Sequence, residues 1–308
     1  QTYVRQYNED HPIKKVACGA NVADFFWTEG VLKTCFANVP EQFHGFMDFI
    51  SLHYYTHPDG WEIKGSATDY DDETWYRTLN KALYIDELIR RHGAIIDQFD
   101  PEKKIGLSVD EWGTWFTVEP GTNPGFLYQQ STVRDALVAG INLNVFNKHC
   151  DRVKMACIAQ MVNVLQAVIL TDGEKMLKTP TWHVFHMYRH HQGAELLESS
   201  LSGVSDTGIG EWTVPEITES VSEKDGMITI TLNNLSLTDD KDLTIHFAKN
   251  KLYKVEEANV VTSGDVHDMN TFDAPDKVKE VSFTDHKAEG NDICVKLPKA
   301  SVVELRIK

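Results

Sequence analysis

Apolar stretches alternate with amphipathic ones over residues 1–193, and this alternation predicts strands joined by helices. The first residues, 1–7, have the pattern of an amphipathic helix whose beginning lies outside the sequence. Strands that alternate with helices indicate a parallel sheet with crossover helices. The strands are predicted at residues 13–21, 49–55, 105–109 and 155–164, and the helices at 27–36, 73–92, 128–143 and 182–191.

Past Gly193 the helical periodicity gives way to short alternating runs separated by turn residues. This pattern is typical of an antiparallel β-sandwich. We therefore predict two domains, an α/β domain over 1–193 and an all-β domain over 194–308. The strands of the second domain are expected at residues 227–232, 242–247, 253–255, 278–283, 293–297 and 302–307.

Three of the four strands in the first domain run out into polar or aromatic residues, which suits one half of an eight-stranded (β/α)8 barrel with its site at the C-terminal strand ends. A doubly wound open sheet is the alternative. It is less favoured because no Gly-rich phosphate turn follows any strand, Gly19 standing alone.

The charge of the chain limits the classes of binding partner, and its cysteine content indicates the redox state of the thiols. Lys and Arg total 30 against 46 Asp and Glu, a net charge of −16 that disfavours nucleic acid and anionic membranes as partners. The five cysteines include no CxxC pair, so we expect reduced and mostly buried thiols. No apolar run reaches membrane-spanning length, and no motif indicates a metal or an organic cofactor.

Glu111 is the sharpest candidate for chemistry. The strand at 105–109 is expected to stop at Asp110 and Glu111, with Trp112 and Trp115 as apolar walls that dry the carboxylates. Glu111 would then act as a nucleophile or a general acid/base. Asp110 is expected to point the other way along the strand, and a plain turn with Asp110 as a helix cap is the alternative.

His53 and Tyr55 lie two apart on one predicted strand and therefore share a face. Tyr55 is a donor for a substrate oxygen or for Glu111, whereas His53 is either a substrate contact or a structural histidine. Gln160 and Asn163 are expected to be buried amides that need partners. Sugar hydroxyls would serve Gln160, and neighbouring backbone would serve Asn163.

Two further groups of residues have competing interpretations. Trp61 and Trp75, beside an acidic loop, are either a sugar-stacking platform or lids on the core. The four histidines of the last predicted helix lack a carboxylate on the same helix face, so we interpret them as surface residues and not as metal ligands. These histidines are His183, His186, His190 and His191.

Several motifs, in order, resemble those of the α-L-arabinofuranosidases of glycoside hydrolase family 51. They are ISLHYY at 50–55, DEW at 110–112, AQMVNV at 159–164, NTFDAPD at 270–276 and LPKASVV at 297–303. The resemblance covers nearly the whole chain. It implies a retaining mechanism on a (β/α)8 barrel, followed by a jelly-roll-like β-sandwich.

The resemblance also implies roles for individual residues. Glu111 falls on the position of the nucleophile, and Tyr55 on the tyrosine that orients the nucleophile and touches the sugar. Gln160 matches a glutamine that hydrogen-bonds arabinose, and Trp115 an aromatic near the subsite. The substrate would be an oligosaccharide or polysaccharide with terminal α-L-arabinofuranosyl residues.

The sequence departs from the family in two respects: the acid/base motif, Gly-Asn-Glu, does not occur, and the family's N-terminal part with barrel strands one to four is missing. We therefore expect strands five to eight of the barrel here, with the acid/base on an N-terminal segment or companion chain. A homo-oligomer such as a hexamer and a cytoplasmic location are further expectations, although an export signal would lie outside this sequence. The alternatives are a related xylosidase or endoglucanase, or a non-catalytic carbohydrate-binding or assembly subunit.

Overall fold

The structure is a computed structural model that describes residues 5–37, 47–249 and 251–308. The chain divides into two compact units that interleave along the sequence. None of the described helices combines the length and the hydrophobicity that a bilayer crossing requires. The first unit comprises Gln1–Tyr55, Tyr84–Trp112 and His149–Cys157, and the second comprises Thr56–Leu83, Gly113–Lys148 and Ile158–Lys308.

Strands and helices alternate up to residue 188, as the sequence predicts. β1 to β4 form one sheet in the order β1-β2-β3-β4, and β1 runs parallel to β2. A two-stranded hairpin, β5 with β6, was not predicted. The elements are β1 Val16–Asn21, α1 Phe25–Leu32, β2 Phe49–Thr56, α2 Asp72–Asp97, β3 Gly106–Thr114, α3 Val133–Lys148, β4 Val153–Ile158, β5 Ile169–Asp172, β6 Lys175–Lys178 and α4 Pro180–Tyr188.

Helix α2 shows why the helical periodicity of apolar residues predicted this element correctly. Its first turn carries Asp72 and Glu73, where negative charge is favourable. Ile85, Leu88 and Ile89 recur at helical spacing and are at most 1% exposed. One apolar face is therefore buried while charged residues occupy the other.

Three local predictions in this part of the chain were wrong. Residues 5–7 are not helical, and the rest of that predicted segment lies outside the described residues. β3 does not stop at the carboxylates but continues to Thr114. β4 ends at Ile158, earlier than predicted, so that Gln160 lies beyond the strand.

After α4 the described chain contains one 3-10 turn and then only strands and loops, which confirms the predicted change to antiparallel sheets. One sheet has the order β14-β13-β17-β11-β10-β7 and another the order β12-β16-β15, with β8 paired to β9. Both larger sheets contribute to one apolar core that includes Ile230, Ile293, Val295 and Leu305. The strands are β7 Glu195–Leu196, β8 Asp206–Ile209, β9 Trp212–Pro215, β10 Ile217–Lys224, β11 Met227–Asn234, β12 Lys241–His246, β13 Val255–Val261, β14 Val281–Ser282, β15 His286–Glu289, β16 Asp292–Leu297 and β17 Ser301–Ile307.

Candidate active site

Two neighbouring strands of the first unit bring Tyr55 and Glu111 together. The Tyr55 hydroxyl donates a hydrogen bond of 2.8 Å to Oε2 of Glu111. The Glu111 side chain is 48% exposed, so its carboxylate is held on one side and open on the other. Hydrogen bonds to a charged group are stronger than neutral ones and fix its orientation. The carboxylate is thus positioned while it remains accessible.

His53 lies beside the same carboxylate and contacts its sequence neighbour as well. Nε2 of His53 is 3.2 Å from Oδ1 of Asp110, and Nδ1 is 3.5 Å from Oε2 of Glu111. The prediction that Asp110 would face away from Glu111 was therefore wrong, because a single imidazole ring contacts both acids.

The environment of Tyr55 keeps its hydroxyl in the form that can donate. Burial raises the pKa of Tyr55 well above its ordinary value, and the hydrogen bond to the Glu111 carboxylate raises it further. A phenolate beside a carboxylate would lose this bond and add repulsion between like charges. Tyr55 is consequently a hydrogen-bond donor throughout the neutral pH range.

The flanking residues differ in burial from the expectation. Trp112 is fully buried and belongs to the core, so it is not an exposed wall of the site. On β4, partial desolvation and the nearby Asp110 raise the pKa of the Cys157 thiol. The expectation of mostly buried thiols was wrong, since Cys18, Cys150 and Cys157 are exposed, although all five cysteines are free. Cys18 and Cys157 lie on β1 and β4, the two outer strands of the sheet.

Trp115 belongs to the second unit, where it packs against another tryptophan. Its ring lies 5.1 Å from that of Trp61 in an edge-to-face arrangement, and Nζ of Lys64 is 4.5 Å from the centroid of the Trp61 ring. Trp61 is 60% exposed, whereas Trp75 is fully buried. A platform of Trp61 with Trp75 was therefore wrong. Trp61 and Trp115 form the aromatic pair instead.

The loop that carries Trp61 is anchored to α2. Arg77 forms an ion pair of 2.7 Å with Asp59, and Nζ of Lys81 donates to the carbonyl oxygen of His57 at 3.3 Å. Thr117 donates through its hydroxyl to the carbonyl of Ile63 at 2.7 Å. An exposed indole on such an anchored loop is presented to a ligand at little entropic cost.

Gln160 also lies in the second unit, on a turn beyond β4, and it is exposed. The prediction that it is a buried amide was wrong, because the strand ends before it. Its backbone N–H donates to the carbonyl of Val164 at 3.0 Å, while its side-chain amide makes no hydrogen bond to any described residue. The backbone is therefore fixed, and the amide is available to a ligand.

Asn163, from the same motif, has a local role. Its side chain forms three hydrogen bonds with Thr171, two to the backbone and one to the hydroxyl. The interpretation that neighbouring backbone serves this amide is confirmed. Its predicted full burial was wrong, since the residue is only half-buried.

The prediction of surface positions for the four histidines that follow Thr179 was wrong for His183, which is buried, whereas His186, His190 and His191 are half-buried. His183 is 7% exposed, and burial lowers its pKa to about 4. His186 pairs with Glu280 at 2.6 Å, and His190 contacts the fully buried carboxylate of Glu304. Their partners lie on distant strands and loops, which a search along one helix face could not find. Within the described ranges, no three His, Cys, Asp or Glu residues are grouped as metal ligands.

Glycoside hydrolases work with Asp or Glu side chains beside the glycosidic bond, and Glu111 is an accessible carboxylate near the C-terminal end of β3 that a tyrosine holds. The model of the α-L-arabinofuranosidase C-terminal domain family matches residues 110–301. The chain belongs to the α-L-arabinofuranosidases of glycoside hydrolase family 51, of which it represents a C-terminal portion.

Individual relatives agree with this assignment. An intracellular exo-α-L-arabinofuranosidase of Bacteroides ovatus is 40% identical over 309 aligned positions, covering 100% of this chain and 58% of that protein. An exo-α-(1→6)-L-arabinofuranosidase of Bifidobacterium longum is 28% identical, over 97% of this chain and 59% of its own length. The crystal structure of the family 51 arabinofuranosidase from Xanthomonas axonopodis pv. citri superposes with a TM-score of 0.92 at 40% identity, over 98% and 60% of the two chains. The chain thus spans less than two thirds of the length of these relatives.

Proposed function

We propose that this chain is the C-terminal part of a retaining exo-α-L-arabinofuranosidase in which Glu111 is the nucleophile. The observation that carries the proposal is the hydrogen bond of 2.8 Å between Tyr55 and Glu111, which holds an accessible carboxylate. Arabinan, arabinoxylan and their oligosaccharides, with terminal α-L-arabinofuranosyl groups, are the proposed substrates. The names of the relatives do not agree on one glycosidic linkage, so the proposal does not specify the linkage that is cleaved.

The reaction proceeds in two displacements. Oε1 or Oε2 of Glu111 attacks the anomeric carbon as the glycosidic bond breaks, and the leaving oxygen takes a proton from a carboxylic acid outside this chain. The same acid, now a carboxylate, removes a proton from water, which attacks the anomeric carbon and releases arabinose and free Glu111. Each displacement inverts the anomeric carbon, so the configuration is retained.

The surrounding residues support this chemistry in different ways. Tyr55 holds the Glu111 carboxylate. His53 lies beside Asp110 and Glu111 and is a further substrate contact. Gln160 donates or accepts a hydrogen bond at an arabinose hydroxyl, a role consistent with its unpaired amide. Trp115 provides an apolar surface near the sugar. Among these, the roles of Gln160 and Trp115 rest on the family resemblance.

The strands β1 to β4 are proposed to be strands five to eight of a (β/α)8 barrel within domain 1–193, with a jelly-roll-like sandwich over 194–308. An N-terminal segment or companion chain completes the barrel and supplies the acid/base. The coverage of 58% of the Bacteroides ovatus relative supports this. The proposal also includes assembly into a homo-oligomer such as a hexamer of complete units. It places the action in the cytoplasm, which the name of that relative, an intracellular enzyme, supports.

The test is Glu111→Ala in the complete assembly, assayed on an aryl α-L-arabinofuranoside. We expect kcat to fall at least about a thousandfold. Azide should restore turnover by attacking the anomeric carbon in place of the carboxylate, which gives a glycosyl azide of inverted configuration. Glu102→Ala is the matched control, because that side chain is 70% exposed and, among the described residues, pairs only with Lys104. Undiminished turnover in Glu111→Ala would remove Glu111 from the nucleophile role.

The same assembly distinguishes the alternative activities. Turnover of aryl xylosides or β-glucans in preference to the arabinofuranoside would favour a xylosidase or an endoglucanase. Saccharide binding without turnover of any of these substrates would favour a non-catalytic subunit.

A further inference from the structure

A buried asparagine in the loop between β13 and β14 ties that loop to the β5–β6 hairpin. Asn270 is 2% exposed. Its Nδ2 donates to the carbonyls of Lys178 and Val278, both at 2.8 Å, and its Oδ1 accepts from the backbone N–H of Val278 at 2.8 Å. Lys178 is the last residue of β6. The Asn270 amide therefore fixes the end of the hairpin.

The same loop packs an aromatic ring against the hairpin. Phe272 lies against a small apolar cluster formed by Ala167, Leu170 and Leu177. Leu170 and Leu177 are paired across the hairpin in the β5–β6 register. Polar and apolar contacts from one loop thus act on the same two strands.

The hairpin in turn holds the segment that carries Gln160. The Ile169 N–H donates to the carbonyl of Met161 at 3.0 Å, and the Asn163 N–H donates to the carbonyl of Ile169 at 3.1 Å. The Asn163 side chain adds its three bonds to Thr171 of β5. Met161 directly follows Gln160 in the sequence. The hairpin therefore fixes the backbone of the turn next to the exposed side-chain amide of Gln160.

We propose that Asn270 is a positioning residue for Gln160, acting through the β5–β6 hairpin. The contacts form a continuous series from Asn270 to Lys178, across the hairpin to Ile169 and Thr171, and then to the turn that begins at Gln160. The step from a fixed turn to catalysis rests on the proposed role of Gln160 as a contact to an arabinose hydroxyl. The step from Asn270 to the turn does not depend on that role.

The test is Asn270→Asp in the complete assembly, because this change preserves shape but places oxygen against two carbonyls. Asn234→Asp is a matched control. Asn234 is fully buried, and its Nδ2 also donates to two carbonyls, those of Asp239 and Leu297, while its Oδ1 accepts from Ser236 N–H. None of these contacts involves the hairpin. Phe272→Leu is a milder second variant that weakens the same connection through packing.

The first readout is hydrogen exchange, which needs no activity. We expect the amides of residues 160–172 to exchange at least about tenfold faster in Asn270→Asp and severalfold faster in Phe272→Leu, relative to Asn234→Asp. Equal exchange of this segment in the Asn270 and Asn234 variants would overturn the proposal, whether or not the protein hydrolyses arabinofuranosides.

The second readout is a double-mutant cycle on an aryl α-L-arabinofuranoside. We expect Asn270→Asp to lower kcat/KM about tenfold in the native background and at most about twofold when Gln160→Ala is already present. A merely structural lesion would lower kcat/KM by the same factor in both backgrounds. That result would overturn the positioning role.

Discussion

Tyr55→Phe removes the hydroxyl that donates to Glu111 at 2.8 Å and keeps the ring. A hydrogen bond to a charged group contributes about 1.5–3 kcal/mol. Since about 1.4 kcal/mol corresponds to a factor of ten in rate, kcat/KM should fall about 10- to 150-fold if the bond is fully used in the transition state. The loss should appear mainly in kcat, because the bond orients the carboxylate that we propose as the nucleophile.

The assay measures kcat and KM of the complete assembly on an aryl α-L-arabinofuranoside. Tyr84→Phe is the control, since the Tyr84 hydroxyl makes no hydrogen bond to any described residue and its ring packs 5.8 Å from that of Tyr54. We expect this control to stay within about twofold of the native protein. An equally small effect of Tyr55→Phe would refute the view that this bond orients Glu111.

The ionisation of Tyr55 gives a second check on the same contact. Burial, and then the Glu111 carboxylate, raise the pKa of Tyr55. Glu111→Gln removes the negative charge, so the pKa of Tyr55 should fall toward its ordinary value while burial keeps it elevated. Ultraviolet titration of Glu111→Gln, with Glu111→Gln/Tyr55→Phe as the blank, measures this shift. An unchanged tyrosine titration would contradict the pairing.

Two further predictions concern residues of the second unit. Trp61→Ala should weaken the binding of an arabino-oligosaccharide to the inactive Glu111→Gln assembly about tenfold, as measured by calorimetry. The free energy of unfolding should change by no more than about 1 kcal/mol. An unchanged affinity would count against a stacking role. Burial raises the pKa of Glu304 from 4.5 to about 7, so the folded protein keeps a proton that the unfolded chain releases. Stability should therefore fall as the pH rises from 4.5 to 7, and Glu304→Gln should gain about 3 kcal/mol relative to the native protein over that window in urea unfolding. Parallel pH dependences of the two proteins would contradict this.

The sequence predicted the strands that carry their own hydrophobic signal. β2 and β11 begin at the residues expected of them, because apolar and β-branched side chains mark a buried strand locally. β10 was missed for the opposite reason. Its residues Thr218 and Ser220 share one face of the strand and are half-buried and buried, respectively, and both are hydrogen-bonded to Asn144 of α3. A buried polar face satisfied by a distant helix leaves no apolar alternation to read.

Site geometry was predictable only where neighbouring strands bring residues together. Tyr55 and Glu111 were expected to meet, and the hydrogen bond between them was named as one of two options. The exposure of Gln160 was not predictable, because the apolar residues around it suggested a strand that continued beyond Ile158. Glu304, the partner of His190, and Lys178, one partner of Asn270, lie about a hundred residues away along the chain, and sequence spacing carries no information about them.

Glu111 and Gln160 owe their positions to different kinds of contact. Glu111 lies within a strand and is held by Tyr55, also of the first unit, so backbone pairing and one hydrogen bond define it. Gln160 lies on a turn, and the turn depends on a hairpin that Asn270 fixes from the all-β region. Damage to that region should therefore reach the Gln160 amide, the proposed sugar contact, while it leaves the Tyr55–Glu111 bond intact. A lesion at Asn270 and a lesion at Tyr55 should then impair different steps, substrate placement in the first case and nucleophilic attack in the second.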